Sequence, residues 1–197
     1  ALDAAAGLAA AAGTDELRAR IHGLRGNLLF PRGDLDGCRR EHEAALELAQ
    51  RAGSAELEAA ALGGLGDAAY LRGHMLTAER RFSACVALAR RQGLTRVEAA
   101  NLPMGAWTCW FAGRCDEALA AVERGIAGAR AIGHLRAEAI AHHIGCLARQ
   151  AAGDAARARQ HAEAALDLAR RLQSPCFEAE ALAFLGSLDA DDGARPS

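Results

Sequence analysis

Glycine recurs along this chain on a 40-residue period. Gly33, Gly73, Gly113, Gly153 and Gly193 form one ladder, and Gly13, Gly53, Gly93 and Gly133 form a second, with Gln173 at its next rung. Glycine enters the left-handed backbone conformation that ends a helix without the penalty of a Cβ. Each rung closes a helical pattern, so every 40-residue unit holds two helices and two turns. A lone helix pair cannot bury its apolar face, so such units must stack on one another.

The apolar positions agree with that reading. Leu57, Ala61, Leu62, Leu65 and Ala69 form one stripe, and Ala78, Phe82, Cys85, Val86 and Ala89 form the stripe of the following helix. The second stripe returns as Ala118, Val122, Gly125, Ile126 and Ala129, and again as Ala158, Ala162, Ala165, Leu166 and Ala169. Glu58, Glu98, Glu138 and Glu178 fall in the first turn of each leading helix. Arg90, Arg130 and Arg170 fall in the last turn of the second helices, and both placements complement the helix dipole. Alanine, the best helix former, dominates a chain that is 51% hydrophobic and only 4% aromatic.

Leu62, Leu65, Gly66, Ala69, Ala78, Phe82 and Cys85 stand at the spacing of the tetratricopeptide (TPR) consensus. Gly26, Ala106, Cys146 and Gly186 echo its small residue, and Cys38, Ala118 and Ala158 its alanine. The chain thus resembles a TPR array with a repeat longer than the 34-residue standard. The resemblance implies an all-α, right-handed superhelix (α-solenoid) of antiparallel helix pairs, about ten helices in one repeat domain over residues 1–197. Residues 1–12 read as the second helix of a preceding unit. Four units follow over 14–53, 54–93, 94–133 and 134–173, then a leading helix over 174–190 and a fraying tail from Asp191. Starting and stopping inside a unit suggests a fragment of a larger protein, with exposed array ends open to self-association. The phrases Glu178-Ala179-Glu180-Ala181-Leu182 and Ala165-Leu166-Asp167-Leu168-Ala169-Arg170-Arg171 resemble the helical arrays of large bacterial regulators. These are the LuxR-type ATP-binding activators and the Streptomyces antibiotic regulatory proteins.

In that resemblance the leading helices line the concave face, and the positions not used for packing meet the ligand. Carried over, they are Arg20, Gly23, Asn27 and Phe30; Ala60, Gly63, Asp67 and Tyr70; Ala100, Pro103, Trp107 and Trp110, with Phe111 beyond; and Ile140, His143, Leu147 and Gln150. Phe30, Tyr70 and Trp110 share one column, with Gly63 and Gly64 leaving space opposite. Rigid aromatics beside small residues make a groove, or else these aromatics fill the turns within each helix pair. Asn27 and Asp67 either orient a ligand or are solvated. The clamp some TPR proteins place on a peptide's C-terminal carboxylate relies on lysine and asparagine. This chain has no lysine, and that column reads Asn27, Asp67, Trp107 and Leu147. An apolar peptide, a partner helix or a small apolar effector fits better. Pro103, inside a helical pattern, is expected to kink its helix.

Little catalytic chemistry is on offer. The 23 basic residues are all arginine, which removes Schiff-base and P-loop lysines. No strand-glycine-helix nucleotide motif and no nucleophile triad stands out. His142, His143 and Cys146 look like a metal cluster, but His142 and Cys146 occupy packing positions, so a structural role is expected and no metal or cofactor is assigned. Six scattered cysteines without a CxxC pair read as buried, reduced thiols of a cytoplasmic protein, with Cys109 and Cys115 as the alternative disulfide. A net charge of -2 leaves no overall basic footprint for nucleic acid, and no apolar run reaches membrane-spanning length. The expectation is a ligand- or protein-binding domain of a bacterial transcriptional regulator. A stand-alone scaffold joining proteins is the alternative, and an enzyme ranks last.

Overall fold

The computed structural model describes residues 14–193, with side chains through residue 190. Among them run nine α-helices and no strand: α1 (Asp15–Leu29), α2 (Leu35–Ala52), α3 (Ala55–Leu71), α4 (Met75–Arg91), α5 (Thr95–Phe111), α6 (Cys115–Ala131), α7 (Leu135–Ala151), α8 (Ala155–Arg171) and α9 (Pro175–Gly193). A single 3-10 turn, Phe30–Arg32, follows α1. The helix expected over residues 1–12 lies outside the described residues. α9 continues to Gly193, three residues beyond its expected end at 190.

The glycine ladder acts at each turn between these helices. Gly33, Gly53, Gly73, Gly93, Gly113, Gly133 and Gly153 all have φ between 66° and 79°. Gln173, at the rung without glycine, holds φ at 51° and is the one non-glycine residue with positive φ among the described residues. The turns between helices are short. Side-chain oxygens close several helix starts: Thr14, Asp34 and Asp154 accept from the backbone N–H of Leu17, Gly37 and Arg157.

The chain divides into two compact units, one ending at Asn101 and the other beginning at Leu102. In the first, α1 packs on α2, α2 on α3 and α3 on α4, and the leading helices α1 and α3 also touch. In the second, α6 packs on α7, α7 on α8 and α8 on α9, with α7 touching α9. The expected stripes are buried, with Leu57 and Leu166 only half so. The division falls inside α5, which continues helical through the buried Pro103.

Facing positions within a helix pair trade size. Gly66 lies against the fully buried Phe82, whose ring a Cβ on Gly66 would meet at 2.7 Å. Gly26 stands likewise against His42, at 2.5 Å. Where the leading helix carries the larger Cys146, the second helix answers with Ala162, and both join one core cluster. Close packing leaves room for one bulky residue per pair.

The arginines and glutamates at helix ends do more than complement dipoles. Arg90 donates to Glu98 at 2.7 Å, Arg130 pairs with Glu138 at 2.8 Å and Arg170 donates to Glu178 at 3.0 Å. In the first repeat Gln50 donates to Glu58 at 3.2 Å. Each pair ties the end of a second helix to the start of the next leading helix.

Candidate binding site

The first compact unit carries an apolar cleft of about 150 Å³. Ala19, Gly23 and Leu24 of α1 form one wall, and Leu57, Ala60 and Ala61 of α3 form the other. Ala45 and His42 of α2 contribute the floor, and the exposed Arg20 and Asn27 stand on the rim. Four carried-over contact positions, Arg20, Gly23, Asn27 and Ala60, therefore converge on one concavity.

His42 was not foreseen as a site residue. It is 3% exposed, and its ring lies between Gly26 of α1 and Gly64 of α3, where a Cβ on either glycine would come within 3.0 Å. Burial lowers its pKa from the ordinary histidine value, against a weaker opposing pull from Glu41. Its Nδ1 is buried without a hydrogen-bond partner. The available signal was its register: His42 precedes Phe82 by one 40-residue period.

Gly63 and Gly64 do not leave open space. A Cβ on Gly63 would run into the Asn101 side chain, and one on Gly64 into the His42 ring. The glycines exist to seat those side chains. Phe30 sits half-buried in the 3-10 turn, and Tyr70 half-buried in the last turn of α3. Neither lines the cleft, and both lie at helix ends. Asp67 is half-buried, and its charge adds to the burial that pushes the thiols of Cys38 and Cys85 up to about 11 and about 12.

In the second unit the aromatics gather on α5. Trp107 and Trp110 stack with ring centroids 5.4 Å apart and planes 11° from parallel. Phe111 meets both edge-on, at 4.8 and 5.1 Å, and stays 49% exposed. His143 turns toward α9, meeting Phe184 edge-on at 4.6 Å and Glu180 at 3.5 Å. Leu147 is half-buried on α7.

A second concavity, polar and about 520 Å³, lies among α6, α7 and α8. Glu123, His142, Arg149, Arg157, Gln160 and His161 line it. His142 and His161 approach Nδ1 to Nδ1 at 3.0 Å, so one ring donates and the other accepts. Burial first, then His161, drives the His142 pKa down to about 4, and burial also lowers that of His161. His142 and His143 thus face different partners, and Cys146 is fully buried in the apolar cluster with its thiol pushed up to about 11. Among the described residues no three His, Cys, Asp or Glu are placed to hold a metal ion.

All six cysteines are free. Four are buried, whereas Cys115 and Cys176 are exposed, contrary to the uniform burial expected, because both fall in the exposed first turn of a helix. No helix among the described residues is long and apolar enough to cross a membrane.

Comparison of the sequence with protein families and with curated proteins finds no match in either. Among solved structures the fold is similar to BtubC (BKLC) from P. vanneervenii, with a TM-score of 0.72 at 15% identity. That similarity spans all of this chain and 90% of the other. The shared feature is the helical-repeat fold.

Proposed function

We propose that this chain is a binding array that takes an apolar group of a partner into the cleft between α1 and α3. The carrying observation is the convergence of Arg20, Gly23, Asn27 and Ala60 on one apolar concavity. A small apolar wall with a few polar groups at the rim suits recognition of a side chain or a small ligand. The stacked Trp107–Trp110 pair with exposed Phe111 supplies a separate sticky surface on α5.

The wider setting rests on the regulator-like phrases of α8 and α9. In it the array is the effector- or partner-binding part of a cytoplasmic bacterial transcriptional regulator of the TPR-containing, LuxR-related kind. The exposed Phe111 beside the half-buried Trp107 and Trp110 favours the second setting, a scaffold joining proteins. Affinity capture from source-cell lysate separates these readings, using wild type, Gly23→Leu and Trp110→Ala in parallel. A bound species lost with Gly23→Leu supports the cleft, and its identity as protein or small molecule separates scaffold from sensor. Retention by Gly23→Leu with loss by Trp110→Ala moves the site to α5, and retention by both variants contradicts the proposal.

A further inference from the structure

The polar concavity of the second unit holds a pair of side chains that packing alone does not call for. At the register of His142, three other leading helices carry Leu62, Leu102 and Leu182. A leucine fills that place with no polar atom to satisfy. Here an imidazole takes it and faces a second imidazole, His161 of α8, Nδ1 to Nδ1 at 3.0 Å. Gly145 of α7 makes room for the His161 ring, which a Cβ at that position would meet at 2.8 Å. Both rings line the concavity, together with Glu123 of α6.

We infer that His142 and His161 chelate one divalent transition ion of the Zn²⁺, Ni²⁺ or Cu²⁺ kind through their two Nδ1 atoms, with Glu123 and water completing its shell. Metal–imidazole bonds of about 2.0–2.1 Å put two nitrogens on one ion about 2.9 Å apart at a right angle and about 3.3 Å apart at a tetrahedral one. The 3.0 Å separation lies between these values, so the two nitrogens already stand at a chelating distance. The half-buried His161 ring has room to turn and bring both lone pairs onto one point. The ring that donates between the two moves its proton from Nδ1 to Nε2 on binding, so no net proton is released. His142 Nε2 is buried without a partner whichever tautomer is present, so the ion adds no further unmet atom there. The Glu123 carboxylate stands outside ligating reach in its present rotamer. Its side chain is 58% exposed and meets Arg149 at 3.7 Å, longer than a hydrogen bond, so it can swing onto the ion. Arg149 and Arg157 oppose added positive charge, and Asp154, 3.8 and 3.5 Å from them, offsets that opposition. Imidazole ligands favour these ions over Mg²⁺ and Ca²⁺, which prefer shells of oxygen.

The test is calorimetric titration of the whole chain with Zn²⁺ and with Mg²⁺. The double variant Cys115→Ser, Cys176→Ser serves as background, because its two exposed thiols would compete for zinc. The background chain should bind one Zn²⁺ and no Mg²⁺. His142→Leu and His161→Phe should each weaken Zn²⁺ binding by at least about tenfold, since changes to outer-shell partners alone reach about 10–100-fold. Glu123→Gln should weaken it less than either. Electron paramagnetic resonance of the background chain with Cu²⁺ should show coupling to two nitrogens, a readout that leaves the concavity itself unaltered.

Zn²⁺ binding that survives undiminished in either histidine variant, or no Zn²⁺ binding by the background chain, overturns the site. Coupling to one nitrogen or none in the copper spectrum overturns the shared chelate even where both variants lose zinc, because a misfolded variant also loses it. Binding of Mg²⁺ as tight as that of Zn²⁺ would point to carboxylates and contradict the imidazole assignment. Undiminished zinc binding by Glu123→Gln overturns the place of Glu123 in the shell.

Discussion

The two compact units place a side-chain pair at the same register and fill it with opposite chemistry. In the first, His22 of α1 meets Glu41 of α2, Nδ1 to Oε2, at 2.7 Å. In the second, the residues 120 positions on, His142 of α7 and His161 of α8, meet at 3.0 Å. A histidine beside a carboxylate forms an ion pair when protonated, whereas two facing histidines cannot both be charged without repulsion. The repeat therefore fixes where helices meet and leaves the chemistry of each meeting to single residues. The same contrast appears in the concavities: apolar over one histidine in the first unit, polar and ionisable in the second.

The largest expected effect tests the size trade between facing helices. Phe82→Ala in the first unit should lose about 3–5 kcal/mol in urea unfolding. Val122→Ala, at the matching position of the second unit, should lose no more than about half of that, because fewer buried atoms are removed. Equal losses would break the account of packing by complementary size.

Acid sharpens the comparison next. The folded pKa of His142, about 4, lies below the unfolded value of 6.5. The unfolded chain therefore takes up protons first as pH falls, and stability present above pH 6.5 is lost between 6.5 and 4. For the buried His142 this amounts to roughly 3 kcal/mol. The charges around it are Glu138 and Glu123, which oppose the shift, and Arg130, which adds to it. His143 and His161 have lowered values too, whereas the first unit contributes His42. Hydrogen exchange at pH 5 should therefore open α7 and α8 before α2. His142→Leu, which installs the residue found at Leu62, Leu102 and Leu182, should flatten that dependence. Equal acid sensitivity of the two units would contradict the contrast.

Glycine substitutions come third. Gly64→Ala should cost about 2 kcal/mol because the His42 ring is buried and held from both sides. Gly145→Ala in the second unit should cost less, about 1 kcal/mol, because the half-buried His161 ring at 2.8 Å has room to swing. Gly23→Ala should stabilise by about 0.5–1 kcal/mol. Thermal melts of the three variants check the order.

The smallest effect lies in the helix-end pairs. Arg130→Ala should cost about 1 kcal/mol, because Glu138, with a side chain only 8% exposed, is left unpaired. Arg90→Ala should cost about half as much, since the Glu98 side chain is 24% exposed and open to water. A reversed order in chemical denaturation would show that burial of the carboxylate does not set the value of the pair.

Much of this architecture is legible in the sequence because backbone demands are local. The glycine at each rung announces its turn, and even Gln173 keeps a positive φ where the ladder predicts one. The stripes of Ala61, Leu65, Ala78 and Phe82 identify their buried faces in the same way. What escaped is set by contacts between helices. Gly63 and Gly64 read as vacancies, because a sequence does not show that Asn101 and His42 occupy the space. His161 went unnoticed because its partner lies 19 residues away on another helix, although the His22–Glu41 spacing carries the same interval. His42 carries no motif of its own, and only its register with Phe82 gives it a place. Of the carried-over contact residues of the first unit, Arg20, Gly23, Asn27 and Ala60 meet at the cleft, whereas Phe30, Gly63, Asp67 and Tyr70 do not line it. Trp107, Trp110 and Phe111 cluster with one another, and His143 is held by Phe184 and Glu180.

The central claim is that binding uses the cleft between α1 and α3. Hydrogen-exchange footprinting of the chain, alone and bound to the species it captures from lysate, tests this directly. The account predicts slowed exchange over residues 19–27 of α1 and 57–61 of α3, with the outer surface of α4 unchanged. Protection confined to other helices, with 19–27 and 57–61 exchanging as in the free chain, would contradict it.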